Sequence, residues 1–382
     1  MTTTAPSGTD AASRTILRTD WVPCKTAFID TRTPGSDQKD NYSFIGPGVS
    51  QNSDQFVNIA EPHGFNMGAA GMPHGLVNSL HLHFTAEVFI NFDGDYLLRW
   101  GAEGEQGTYR SLDGDIISVP PWVFRGFTNE GSGDGVLLTV LGQDRTGGII
   151  WGPKVIEEAG KHGLYLSSDN QLVDTTQGDS LEGVELIEPM PQAEIDRLDV
   201  VTEEQFATRV TRPQDRVWQE RPFLCSVLPG GRAELSLIIG YGLTEQVRDV
   251  PRLHDPHSFT VAWLRAAQGE GMLEHTIDRH QVLVARTGSW EVAFETEEGL
   301  QTVELNRLDA VSIPPGARRS LKALAAGEDG TSEILVVVEG DGRAHQRWSD
   351  EVVAAAQDAG WVLDPNGYVA PSALLANSPT PR

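Results

Sequence analysis

The segment GLVNSLHLHFTAEVFINFDG, residues 75–94, concentrates residue types that bind metals. In a strand, residues two apart project from one face, so His81 and His83 point the same way. Glu87, four residues beyond His83, keeps that face if the strand runs on unbroken. Two imidazoles and a carboxylate then converge on one ion and leave coordination positions open. That set suits non-haem Fe(II) first, and Mn, Ni or Zn as well. The bland alternative is a polar face in water. His74, just upstream in GMPHG, could be a fourth ligand, and a surface histidine is its expected role.

The elements that must hold these residues read as short strands and turns. Glycine (40) and proline (22) are plentiful, and Val, Ile, Phe and Leu alternate with polar residues in DYLLRW, DIISVP, FTVAWLRA and SWEVAFET. An all-β fold is expected. The chain also repeats itself. WGPKVIEEAGKHGLYL from Trp151 matches WSDEVVAAAQDAGWVL from Trp348, 197 residues later, and both read as a short amphipathic helix closed by glycine. GDIISVPPWVFRGF and LDAVSIPPGARRSL match 194 residues apart, as do EVFINFDG and QVLVARTG. The expected order is a disordered leader (1–20), an N-terminal domain (21–166) and a linker (167–199), then a C-terminal domain (200–370) and a disordered tail (371–382).

The spacing from Gly75 to Gly94, G-x5-H-x-H-x3-E-x6-G, resembles the first motif of the cupin superfamily. The stretch from Gly114 to Asn129, GDIISVPPWVFRGFTN, resembles the second, G-x5-P-x-G-x2-H-x3-N, with Gly114, Pro120 and Asn129 in place. It departs twice: Trp122 stands for the glycine, and Arg125 takes the slot of a ligand histidine. The resemblance implies two tandem double-stranded β-helix (jelly-roll) barrels, each followed by a short helix. GDIISVPPWVF is similar to the matching strand of gentisate- and salicylate-type ring-cleaving dioxygenases. This implies Fe(II), dioxygen and a small, anionic, possibly aromatic carboxylate. Those enzymes use three histidines, whereas this chain keeps two and Glu87. Phe84, Phe89, Trp100, Trp122 and Phe124 are the aromatics available to line a pocket, Trp122 foremost.

Arg125 is always charged and has no acceptor, so it cannot replace the histidine as a ligand. It is expected either to clamp a substrate carboxylate, to turn outward to a surface acid, or to pair with Glu87. In the second unit the positions of His81, His83, Glu87 and Arg125 become His275, Ile277, Gln281 and Arg319, a poor metal site. His280 falls on the opposite face, and His254 and His257 read as a polar loop. That unit is expected to be structural or to help form a homodimer. A non-oxidative isomerase, lyase or decarboxylase, or a non-catalytic ligand-binding bicupin, remains open beside the dioxygenase.

A net charge of −25 argues against nucleic-acid and anionic-membrane partners. Two distant cysteines, Cys24 and Cys225, argue against a disulfide framework and exclude a zinc site built mainly from Cys. The polar first residues and the lack of a long apolar run lead to a cytoplasmic expectation.

Overall fold

The structure, a computed structural model, describes residues 10–375. It is mostly β and contains two tandem barrels. They form two compact units: Trp21–Gln214, and residues 10–20 together with 215–375.

In the first unit a seven-stranded sheet faces a five-stranded one. The larger runs Val210–Thr211, Ile116–Val119, Glu87–Asp93, Gly135–Gly142, Phe65–Met72, Asp40–Ile45 and Val57–Ile59. The smaller runs Ile149–Trp151, Val77–His83, Arg125–Asn129, Tyr96–Trp100 and Gly107–Ser111. Alternation sends Phe89, Tyr96, Leu98, Trp100, Phe127 and Leu137 into the space between them. Gly126 lets two strands close up, since a Cβ there would lie 2.8 Å from the Asn78 carbonyl oxygen.

The second unit repeats this order. Gly299–Leu305, Ser289–Thr296, Arg319–Ala325, Gly271–Ile277 and Gln346–Trp348 form its smaller sheet, and Ala310–Ile313, Gln281–Thr287, Thr331–Glu339, Phe259–Ala267 and Glu234–Ile239 lie in its larger one. The repeated helices are Pro153–Lys161 and Asp350–Asp358, with Gly163 and Gly360 just beyond them at φ 75° and 85°.

Three expected boundaries are corrected. Residues 10–20 are not a disordered leader. Thr15–Ile16 pairs with Ala310–Val311, and Ala11 and Ile16 are buried in the second unit. The matching place in the first unit is filled by Val210–Thr211 beside Ile116–Ile117, so that unit runs to Gln214 rather than 166, and the second resumes at Asp215 rather than 200. Residues 167–199 are not a free linker. Leu172–Asp174 pairs with Leu164–Leu166, and Leu172 and Ile187 pack with Trp151 and Leu166. A few well-spaced apolar residues suffice to dock a segment whose average composition is polar. Of the expected tail, residues 371–375 form the end of a strand and a short helical turn, and residues 376–382, like 1–9, lie outside the described residues.

Candidate metal centre

His81 and His83 end the Val77–His83 strand of the smaller sheet. His81 sits opposite Arg125 on one side and Trp151 on the other, and His83 sits opposite Ile149. Glu87 reaches them by a different route from the one expected. The strand does not run on. It breaks over residues 84–86, and Glu87 opens a strand of the larger sheet between Val119 and Leu141. The three ligand atoms therefore meet between two sheets, all within 4.8 Å of one another. All three residues are buried.

The hydrogen bonds fix the form of the histidines. His81 Nδ1 lies 2.7 Å from the Ser79 carbonyl and His83 Nδ1 lies 3.3 Å from that of Gly148. A carbonyl only accepts, so each Nδ1 carries the proton and each Nε2 presents a lone pair. Burial, helped by the charge of Arg125, pushes His81 down to about 3 and His83 well below its usual range. Both are neutral at pH 7, as ligation requires. His83 Nε2 is buried with no hydrogen-bond partner, 3.6 Å from Glu87 Oε1. Burial pushes Glu87 up to about 7, and Arg125 opposes that shift. A divalent ion fits this donor set: two neutral imidazoles and a carboxylate with an unmatched buried nitrogen between them.

Arg125 is 1% exposed. Its Nε lies 3.3 Å from Glu87 Oε2, and none of its three guanidinium nitrogens has a hydrogen-bond partner among the described residues. The outward-turned alternative is thereby excluded, and the pairing with Glu87 is present. Glu87 turns one oxygen toward His83 and the other toward Arg125. In the second unit Arg319 occupies the same register place opposite His275. There the guanidinium is satisfied by Gln281 Oε1 at 3.0 Å and by the carbonyls of Ala317 and Pro314. Ile277 is buried core and His275 Nε2 has no hydrogen-bond partner, so among the described residues that barrel holds no comparable ligand set.

A cavity of about 80 Å³ opens on His81, His83 and Glu87. Phe28, Tyr42, Phe89, Phe127 and Trp151 line it, and Asn41, Ser43, Gln55, Asn66 and Asn78 give it a neutral polar wall. Trp122 does not line it, which corrects the expectation. It is 47% exposed, at φ 63°, and packs edge-on against the exposed Phe84 with ring centroids 5.0 Å apart. Its repeat counterpart is Gly316, also at positive φ, so Trp122 inherits a left-handed glycine turn that aims the indole outward. Phe124 is buried away from the cavity, and Trp100 stacks on Phe206 in the core. His74 is exposed and bonds the Gly131 carbonyl, too far along the strand edge to serve as a ligand.

Two features escaped the sequence reading. Asp30 and Lys39 form a buried ion pair at 2.5 Å beneath Asn78, and no motif marks them. The second was readable: EPHGF at 61–65 and DPHSF at 255–259 are 194 residues apart. His63 and His257 each turn Nδ1 to the carbonyl two residues back, and their backbone N–H groups donate to Asp144 and Asp341. They are loop clasps, not ligands, so His257 is a structural residue.

No protein-family profile matches the chain, and no curated protein matches it in sequence. Solved structures do match. A 7S globulin of Momordica charantia aligns at TM-score 0.52 and 9% identity over 93% of this chain and 94% of the globulin. An oxalate decarboxylase of Lactobacillus farciminis, solved as a formate complex, aligns at 0.51 and 12% over 95% and 92%. Hazelnut (Corylus avellana) vicilin aligns at 0.50 and 10% over 87% of each. Enzymes and storage proteins thus share this architecture, and at such identities the likeness is one of fold alone. The chain shares the fold of two tandem jelly-roll barrels with these proteins and carries its His-His-Glu group in the N-terminal barrel.

Proposed function

We propose that the chain is a metal-dependent enzyme that acts on a small carboxylate, with His81, His83 and Glu87 as metal ligands. The observation that carries this reading is the contrast between the two arginines. Arg319 is hydrogen-bonded by its own barrel, whereas Arg125 is equally buried and has no aligned partner. A buried guanidinium is not left so without a strong cost, unless an anion completes it. With Glu87 ionised, the Arg125 and Glu87 charges cancel. A bound divalent ion then leaves the site with its own double positive charge, which a bound carboxylate halves.

A bound divalent ion supplies Lewis acidity to a carboxylate, and Fe(II) adds electron transfer to dioxygen. The chain's own residues do the rest. Ser79 and Gly148 hold the imidazole tautomers, and Arg125 pairs with the far oxygen of Glu87; in this reading its Nη donors clamp the substrate once the cavity, whose wall reaches Glu87 but not Arg125, opens onto them. Phe89, Phe127 and Trp151 exclude water. We assign an Fe(II)-dependent dioxygenation of a small carboxylate. The second reading is non-oxidative decarboxylation or isomerisation of a small carboxylate, with which the small cavity and its amide-bearing wall are also compatible. The oxalate decarboxylase neighbour, whose formate complex was solved, has the same fold.

Metal analysis of anaerobically purified protein tests the assignment. Stoichiometric Fe(II), lost in His81→Ala and Glu87→Ala, is the expected result. Oxygen uptake with a carboxylate panel supports the dioxygenase, and carbon dioxide release without oxygen supports the second reading. A metal-free protein whose ligand binding is indifferent to both variants would end both. Among the described residues no helix is long and apolar enough to cross a membrane. A cytoplasmic homo-oligomer accompanies the proposal, and light scattering checks the assembly.

A further inference from the structure

Asn78 lies three residues before His81 on the same strand, is 8% exposed, and lines the cavity. Its Oδ1 accepts from Lys39 Nζ at 2.8 Å. The ammonium of Lys39 has only donors, so the amide cannot be flipped, and its Nδ2 must face away from Lys39. Lys39 is itself held by Asp30, whose Oδ2 accepts from Nζ at 2.5 Å and from the Ser79 backbone N–H at 3.2 Å. Asp30 and Lys39 are 0% and 1% exposed. The Nδ2 group has no hydrogen-bond partner among the described residues. Because Asn78 lines the cavity, its free amide donors are open there to an acceptor oxygen of a ligand or of water.

The repeat supplies an independent control. Phe127 lies opposite Asn78 and Leu321 lies opposite Met272, so Met272 holds the place of Asn78 in the second barrel. The barrel that lacks the His83 and Glu87 counterparts has an apolar residue where this donor would be.

We propose that Asn78 is a substrate-binding residue whose amide N–H donors, fixed by the buried Lys39–Asp30 pair, bind an acceptor oxygen of the substrate. Resting on the metal reading above, this narrows the substrate class. The small carboxylate carries a second acceptor oxygen beyond the group held at the metal, as in a dicarboxylate or a keto acid. Lys39 and Asp30 are positioning residues that act through Asn78.

The test loads the full-length chain and its Asn78→Leu variant with Co(II). It measures Co(II) affinity and visible absorption, then binding of oxalate, malonate and pyruvate by calorimetry. Asn78→Leu is expected to keep Co(II) affinity within threefold and an unchanged spectrum, while binding the acids at least tenfold more weakly. The Lys39→Met/Asp30→Leu double variant removes both buried charges together. It is expected to show the same tenfold loss with the same spectrum, and adding Asn78→Leu to it produces little further loss. A merely structural role would lower the melting temperature and disturb the Co(II) spectrum without this non-additivity. Acid binding that Asn78→Leu leaves unchanged overturns the proposal alone, as does failure of all three acids to bind the loaded wild type. A chain that takes no Co(II) overturns the metal reading and this proposal together.

Discussion

At the scale of residues, the centre turns on one substitution of charge for a ligand. Arg125 was legible in the sequence as a departure from the cupin pattern, but its direction was not, because spacing does not fix a long side chain's rotamer. Glu87 lies within ion-pair distance of it. Removing one partner of a buried pair strands the other. Arg125→Met is expected to destabilise the metal-free protein by about 3–5 kcal/mol. Glu87→Gln in the same chain should recover much of that loss. Because a metal can neutralise the stranded carboxylate, the rise in melting temperature on adding Co(II) should be larger in Arg125→Met than in the wild type. Thermal unfolding of the three chains with and without Co(II) measures all three effects, and an Arg125→Met chain as stable as the wild type refutes the coupling.

At the scale of elements, the motif strands, the repeat and the closing helices were readable because their periodicities are local. The corner at residues 84–86 was not. His-x-His-x3-Glu is compatible with one straight strand, and only the pairing of His83 with Ile149 and of Glu87 with Val119 separates the sheets. Hidden repeats do make element-scale predictions possible. Gly64 and Ser258 stand at the same place in the two clasp loops, at φ 74° and 69°. A serine there carries a Cβ in the left-handed region, which costs about 1–2 kcal/mol relative to glycine. Ser258→Gly should therefore stabilise its unit by about 1 kcal/mol, after the entropy lost by glycine is counted. Gly64→Ser should destabilise the other unit by a similar amount. The urea midpoints of the two variants should move in opposite directions, and movement in the same direction would show that the loops are not equivalent.

At the scale of the whole molecule, tandem duplication was legible but the path of the chain was not. Composition marked residues 1–20 as a leader because they are polar, yet Ala11 and Ile16 are buried in the second unit. The Thr15–Ile16 strand covers the edge of Ala310–Ile313, and the Ala11 and Arg18 backbone N–H groups donate to Gln301 and Asp309. In the first unit Val210–Thr211, from the end of the unit's own chain, does this work. Two-residue strands carry too little pattern to announce a partner some three hundred residues away, which is why this pairing could not be read in advance. Ile16 is 2% exposed, and truncating a buried isoleucine to alanine removes its burial and leaves a cavity, worth about 2–5 kcal/mol. Ile16→Ala should lower the stability of the second unit by about 2–3 kcal/mol, at the low end because an edge segment can relax into the space. A true leader would change it by under about 0.5 kcal/mol. Hydrogen exchange read strand by strand separates the two, since loss of protection should begin at Ala310–Ile313 and leave Val77–His83 unchanged. If protection at Ala310–Ile313 is the same in Ile16→Ala as in the wild type, the N-terminal strand is not part of that barrel in solution.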